Sequence, residues 1–584
     1  MKSNYDKTPK IMISESEDEI YVGWENVFKQ ITENLKAISG PSGATVVIET
    51  YQGVDDSEVK TAIKKYLGTH SSYESNSVFK DENSISEMVF PFVTDDRIFG
   101  YMTDLEMKDF FNPSRLRELK AQVEKDSSPV KVIYGPGASL CADADVLVYI
   151  DMARWEIQQR MRSNELGNMG VSNNKIDVAR RYKQSYFVDW RVLDRHKMAI
   201  FDQVDLFIDA NKKQEPKGIS GEVLTQALEQ VNKQPFRVVP FFDPGPWGGQ
   251  WMKEVMDLDR SEVNFAWSFD CVPEENSLLL AFGNQTFETP AINLVLREAP
   301  ALLGNHVYKK FGAEFPIRFD FLDTMDGGNL SLQVHPSKDY IKEQFGMAYT
   351  QDESYYMMEA RDHAVVYLGL VDDVGPEKMI EELKEAQEKG AEFDADKHVG
   401  KYPIKKHDHI LIPNGTVHCS GEDSVVLEIS ATPYIFTFKL WDWGRLGLDN
   451  LPRPINIEHG EKVIDWSRRT EFVKNELINK IEQVDQGEGW VEERTGLYPT
   501  VFIETRRHWF TGTVPHDTQG GVNVINLVEG REAIVESPSS AFTPFIVHYA
   551  ETFIIPASVG AYTIRPYGES LGQKCATLKA FVRK

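Results

Sequence analysis

Apolar and polar positions follow two different patterns along this chain, and the change between them falls near residue 235. In the first stretch, β-branched runs at 45–50, 130–134, 146–150 and 204–208 read as buried strands. Segments of helical period lie between them, at 57–67, 113–124 and 155–162. Strands alternating with helices predict βαβ units around a parallel sheet. The polar run 211–218 predicts a turn, and a helix at 221–232 closes an α/β domain over 1–235.

From residue 236 the texture changes. Runs at 330–335, 364–368, 409–412, 424–429, 434–441, 553–555 and 561–564 have strand length and are bounded by Gly, Pro and Asn. They predict antiparallel jelly-roll barrels, interrupted by helices at 376–389 and 466–484. The expected fold class is therefore multidomain. An α/β parallel-sheet domain precedes an all-β part, with one barrel and a helical insert over 236–460, then a helix and a second barrel over 461–584.

Composition narrows the function classes. A chain of 584 residues buries ample apolar surface without disulfide support. Its net charge of −26 opposes general binding to nucleic acid or to an anionic membrane. A local basic pocket for one small phosphorylated ligand remains compatible with that charge. The four cysteines (Cys141, Cys271, Cys419 and Cys575) form no CxxC pair, so a disulfide framework is not expected. The first residues lack the apolar core of a signal peptide, and no window is long and apolar enough to span a bilayer. The expected location is the cytoplasm.

Candidate chemistry concentrates in the first barrel. Gln333 and His335 are two apart on a strand and leave the same face. His418 follows a Pro413-Asn414-Gly415 turn, and Glu353 opens another apolar strand. If these strands line one barrel, an amide oxygen, two imidazole nitrogens and a carboxylate converge. That set suits Zn²⁺ or another borderline divalent ion, with room for sugar oxygens. Cys419 alternates to the other face and reads as packing. His407 and His409 share strand spacing and read as a solvent-facing edge, and Trp247 as a structural plug. Glu428 reads either as a structural carboxylate or as a polar contact near the metal.

Ordered motifs then carry a resemblance. Pro246-Trp247-Gly248-Gly249, Leu330-Ser331-Leu332-Gln333-Val334-His335-Pro336, Asp352-Glu353, Pro413-Asn414-Gly415-Thr416-Val417-His418, Leu427-Glu428-Ile429 and Trp441-Asp442-Trp443 occur in the order of the class I mannose-6-phosphate isomerases. From about residue 243 to 443 the chain resembles that family. The resemblance implies a double cupin fold and a zinc held by Gln333, His335, Glu353 and His418. It implies interconversion of mannose 6-phosphate and fructose 6-phosphate, or a related sugar phosphate, through an enediol intermediate. A divalent cation and a cationic side chain would counter the charge that develops. The lysine the family carries before the Glu is Gln351 here, and its arginine after the Glu-Ile strand is replaced by Lys439, with Arg445 a second nearby cation. Lys439 and Arg445 are the candidate catalytic groups. The Ser-Asp-Thr-Thr stretch becomes Ala431-Thr432-Pro433-Tyr434. The competing expectation is a metal-bearing cupin that binds or senses a sugar phosphate without turning it over.

The N-terminal domain resembles a P-loop kinase of the uridine kinase kind, through its strand order and through 143–151 followed by Arg160-Met161-Arg162. The phosphate loop that such a kinase needs is missing. After the first strand stands Thr50-Tyr51-Gln52-Gly53-Val54-Asp55-Asp56-Ser57, whose two aspartates would repel a triphosphate. A degenerate kinase fold without ATP chemistry is expected, with 135–139 and 40–44 read as turns.

Overall fold

The computed structural model describes residues 3–38, 43–432, 435–447, 453, 455–496 and 498–584. By internal contacts the chain divides into two units: Lys10–Gln230 with Pro273–Arg297, and Met1–Pro9 with Val231–Val272 and Glu298–Lys584.

The first unit is α/β. Its seven-stranded sheet runs Tyr21–Val22, Lys217–Ser220, Leu206–Asp209, Val146–Asp151, Ala44–Thr50, Val130–Gly135, Ser71–Glu74. The five strands from Leu206–Asp209 to Ser71–Glu74 are parallel. Ala44–Thr50 is buried at every position, as a central strand covered on both faces demands. Val46, Ile48, Val132, Val148 and Ile208 pack with Val27, Phe28 and Ile31 of helix Gly23–Ile38. Each such side chain contributes about 1.5–3 kcal/mol on burial. The sheet continues antiparallel through Lys217–Ser220 and Tyr21–Val22. The expected turn at 211–218 thus ends early, because Lys217 and Gly218 pair with Asp209 and Ile208.

The helix expected at 57–67 is Asp56–Tyr66, capped by Asp55, whose carboxylate accepts from the amides of Ser57 and Glu58. The turn at 135–139 is structural: Glu49 accepts from the amides of Gly137 and Ser139 at 2.8 and 2.7 Å. Gly40, Pro41 and Ser42 lie outside the described residues. A separate three-stranded sheet pairs Lys10–Ser14 with the hairpin Ser277–Phe282 and Gln285–Pro290.

The second unit is built on four antiparallel sheets. One has six strands, in the order His409–Ile412, Glu353–Ala360, Ser424–Ala431, Ile317–Asp323, Trp267–Cys271, Phe241–Asp243. A five-stranded sheet runs Val399–Pro403, Val365–Leu370, His418–Ser420, Leu332–Val334, Phe438–Trp441. The helix expected at 376–389 is Pro376–Lys389. The other pair of sheets lies C-terminal, six strands around Ile503–Phe510 and four around Ala561–Pro566. Phe510, Val514, Ile525, Val535, Phe553 and Ile564 form its core.

The helix expected at 466–484 is not formed. Only Thr470–Phe472 is α-helical, Val473–Leu477 is a π-turn, and Glu482–Gly487 is a strand. That strand pairs with Trp490–Gly496, which itself pairs with Ile503–Phe510, so sheet pairing overrides the local helical period. The strand expected at 434–441 is observed as Phe438–Trp441, and Pro433 and Tyr434 lie outside the described residues.

Candidate metal centre

Leu332–Val334 sits between two strands that set its chemistry. Gln333 stands opposite His418 on one side and opposite Lys439 on the other. His335 follows on the face of Gln333. Glu353 begins a strand of the facing six-stranded sheet, so its carboxylate meets the other three from the opposite wall. Glu353 Oε1 is 2.7 Å from His418 Nε2, and Glu353 Oε2 is 3.0 Å from His335 Nε2. Gln333 Nε2 is 3.3 Å from His418 Nε2. One ligand atom from each of His335, Glu353 and His418 lies within 4.8 Å of the others, and all four residues are buried.

The proton positions follow from the partners. His418 Nδ1 lies 2.8 Å from the Thr416 carbonyl, and His335 Nδ1 lies 3.3 Å from the Phe436 carbonyl. A carbonyl only accepts, so each Nδ1 carries the proton and each Nε2 keeps its lone pair toward Glu353. His335 Nε2 and Glu353 Oε1 accordingly make no hydrogen bond although both are buried. Lone pairs facing lone pairs in a dry interior are costly; a cation between them removes the conflict. A half-turn of the Gln333 amide would aim its oxygen at the same point.

Charge on the surrounding wall agrees. Pairing aligns Arg318 with Ser430 and Glu353, and Asp320 with Glu428 and Tyr355, on one face of the six-stranded sheet. Arg318 is 3.0 Å from Asp320 and 3.8 Å from Glu428. Three buried carboxylates share that face with one guanidinium. Burial pushes the Asp320 carboxyl up to about 6 despite Arg318. Burial, then Asp320 and Glu353, hold Glu428 well above its ordinary value. Burial also works to raise Glu353, and that carboxyl is held low only where His335 and His418 are charged or a cation stands between them and it. Two imidazoles, a carboxylate, an amide and surplus negative charge fit a divalent ion of the borderline, zinc-like class.

The remaining candidates distribute differently. Lys439 is half-buried beside Gln333, its carbonyl accepting from the Asn456 amide at 2.7 Å. The Arg445 guanidinium is committed to Asp442 at 2.6 Å, which also takes Arg453 and the Ser331 hydroxyl, rather than to any of the four. Gln351 is buried and its amide lies 3.3 Å from Glu353 Oε2. Cys419 is buried, and Trp247 packs edge-on against Trp267 at 4.7 Å.

The solvent-facing edge expected for His407 and His409 is wrong. His407 lies in a turn with φ +72° and contacts Tyr356 and Glu529, whereas His409 is fully buried. Gly496 of the strand Trp490–Gly496 covers His409, a Cβ there falling 3.2 Å from its ring. Arg318, Asp320, Tyr355 and Ser430 escaped the sequence reading. Their signal was present: Arg318 and Asp320 alternate with Ile317, Phe319 and Phe321, a polar face inside an otherwise apolar strand.

Part of the chain is similar to known mannose-6-phosphate isomerases. The chain is 25% identical over 233 residues to a probable mannose-6-phosphate isomerase of Bacillus subtilis (strain 168), covering 39% of this chain and 68% of that protein. It is 26% identical over 220 residues to a mannose-6-phosphate isomerase of Streptococcus mutans, covering 37% of this chain and 64% of that protein. The chain thus spans just under two thirds of the Streptococcus relative. The solved mannose 6-phosphate isomerase from Bacillus subtilis overlays with a TM-score of 0.47 at 16% identity, covering 59% of this chain and 99% of that one. Residues 23–233 match a domain of unknown function, DUF8485, which assigns them no activity. Among the described residues no helix is long and apolar enough to cross a membrane.

Proposed function

We propose that the second unit is an isomerase of sugar phosphates, with mannose 6-phosphate and fructose 6-phosphate as the pair to test first. The observation that carries this reading is the meeting of His335, Glu353 and His418 around one buried point, in a chain with mannose-6-phosphate isomerases among its sequence relatives. Gln333, His335, Glu353 and His418 would hold a divalent metal, zinc by donor type. Such an ion supplies Lewis-acid stabilisation of negative charge on sugar oxygens. Lys439, across the ladder from Gln333, is assigned to the phosphate; its ammonium offers a point charge where a guanidinium would bind bidentately. Arg445 is left out, since its guanidinium is held by Asp442. On this reading the metal-bearing cupin lies within 236–460 and a second cupin without metal within 461–584, while Lys10–Gln230 with Pro273–Arg297 is a separate module.

One observation favours a second reading. Gln351 stands where the family has a lysine and is in contact with Glu353, so a neutral amide occupies a place beside the metal that a cation would fill. A protein that binds a sugar phosphate without converting it would tolerate that change. Purified protein of measured metal content, assayed with mannose 6-phosphate, glucose 6-phosphate and fructose 6-phosphate, separates the two. Conversion of any pair supports the isomerase; metal-loaded protein that binds but converts none supports the binding protein.

A further inference from the structure

The first unit holds a cavity of about 460 Å³ at the carboxyl end of the strand Ala44–Thr50. The strand stands between Val130–Gly135 and Val146–Asp151, while the chain leaving it goes out to Ser71–Glu74 at the sheet edge. Open α/β sheets bind ligands where the strand order reverses in this way. The loop 51–55 and the first turn of helix Asp56–Tyr66 form one wall, and residues 165–170 form another. Its volume lies within the range of small-molecule sites.

The groups that would attract a phosphate are already used. The helix N-terminus is capped from within, because Asp55 Oδ1 accepts from Ser57 and Glu58 amides at 2.9 and 3.1 Å. Those amides are the ones an anion would take. Arg160 donates to the carbonyls of Gly53 at 2.8 Å and Asn211 at 3.1 Å and pairs with Glu156 at 2.8 Å. Lys213 pairs with Glu165.

What the cavity offers is acceptors. Gln52 is 8% exposed and lines it. Its amide N–H groups donate to the Gly167 carbonyl at 3.1 Å and to Asp189 at 3.3 Å, while its Oε1, fully buried, has no partner. Asp55 uses only Oδ1 for the cap, and Asp56 uses Oδ1 for the Tyr134 hydroxyl. A buried amide oxygen without a donor is destabilising unless a ligand supplies one.

We propose that this cavity binds an uncharged ligand presenting vicinal hydroxyl groups, either a free sugar or the ribose of a nucleoside, whose hydroxyls donate to Gln52 Oε1 and to the Asp55–Asp56 pair. A phosphorylated ligand is rejected by the two aspartates and finds no free amide at the helix end.

The test is calorimetric titration of the full chain with D-ribose, D-mannose, uridine and adenosine, beside ribose 5-phosphate, uridine monophosphate and putrescine. The proposal expects saturable binding of at least one neutral ligand, and binding at least tenfold weaker for its phosphorylated form. Gln52→Met and Asn76→Trp, the latter at an exposed position on the rim, should each weaken it at least tenfold with melting temperature monitored. His335→Ala should leave it unchanged, which separates this cavity from the metal centre. Three results overturn it: no neutral ligand binds, the phosphorylated or cationic ligand binds as well as the neutral one, or well-folded Asn76→Trp binds like the parent.

Discussion

Two residue-scale outcomes test the metal centre. His335→Ala and His418→Ala each remove one of two imidazoles facing Glu353. Both should lose most bound metal and melt at lower temperature, because metal binding to a folded site is itself stability. Elemental analysis after gel filtration checks this, and unchanged metal in both variants would remove the ligand assignment. Lys439→Ala should keep its metal but raise KM for the sugar phosphate by about 10–100-fold, the worth of one charged hydrogen bond. An unaltered KM would remove Lys439 from the phosphate site. Gln333 and His335 were legible from their strand spacing, and Glu353 and His418 joined them through the ordered motifs that resemble the isomerase family. Arg318 and Asp320 were not singled out, since two charges in an apolar strand acquire meaning only when pairing aligns them with Glu428 and Glu353.

At the scale of single elements, the helix Lys338–Phe345 begins directly after the strand that carries Gln333, and Ser337 caps it by accepting from the Tyr340 amide at 3.2 Å. Ser337→Ala should cost about 1 kcal/mol in unfolding free energy with metal content unaffected, which denaturant titration measures. The strand His409–Ile412 yields a pH prediction. Burial first, then Arg507, hold the His409 imidazole at about 3, below its ordinary 6.5. The unfolded chain therefore binds a proton there that the folded chain refuses. Stability is lost as pH falls below about 6.5, at about 1.4 kcal/mol per pH unit for this one group. His409→Gln removes that contribution, so its stability relative to the parent should improve steadily from pH 6 to pH 4. Parallel pH profiles would show that His409 does not carry the effect. Helices 113–124 and 376–389 were readable from period and caps. The segment 466–484 was not, because its end pairs in a hairpin with Trp490–Gly496, which is itself held in the sheet by Ile503–Phe510.

For the whole molecule, the contact division is not one cut in the chain. Pro273–Arg297 belongs with Lys10–Gln230. Within that unit Arg154 donates to the Glu274 carbonyl at 2.9 Å, Asn293 donates to Asp151 at 2.8 Å, and the hairpin Ser277–Pro290 pairs with Lys10–Ser14. A fragment 10–230 without the hairpin leaves these buried groups wanting partners, at about 1–3 kcal/mol each. It should melt well below the parent unit or fail to fold; fusing 273–297 back to it should restore a cooperative transition by circular dichroism. Equal melting of both would refute the assignment. Taken by itself, the sequence determined the alternation of helix and strand up to residue 235 and the β-rich remainder, because hydrophobic period is a local property, and its ordered motifs pointed by resemblance to Gln333, His335, Glu353 and His418 as candidate metal ligands. The tertiary structure alone decided that His409 is interior, that Arg318 and Asp320 line up with Glu353 and Glu428, and that a late hairpin completes the first unit. Each of these depends on which distant segment comes to lie alongside, and burial and hydrogen-bond partners are set by that neighbour rather than by the residue's own stretch of chain.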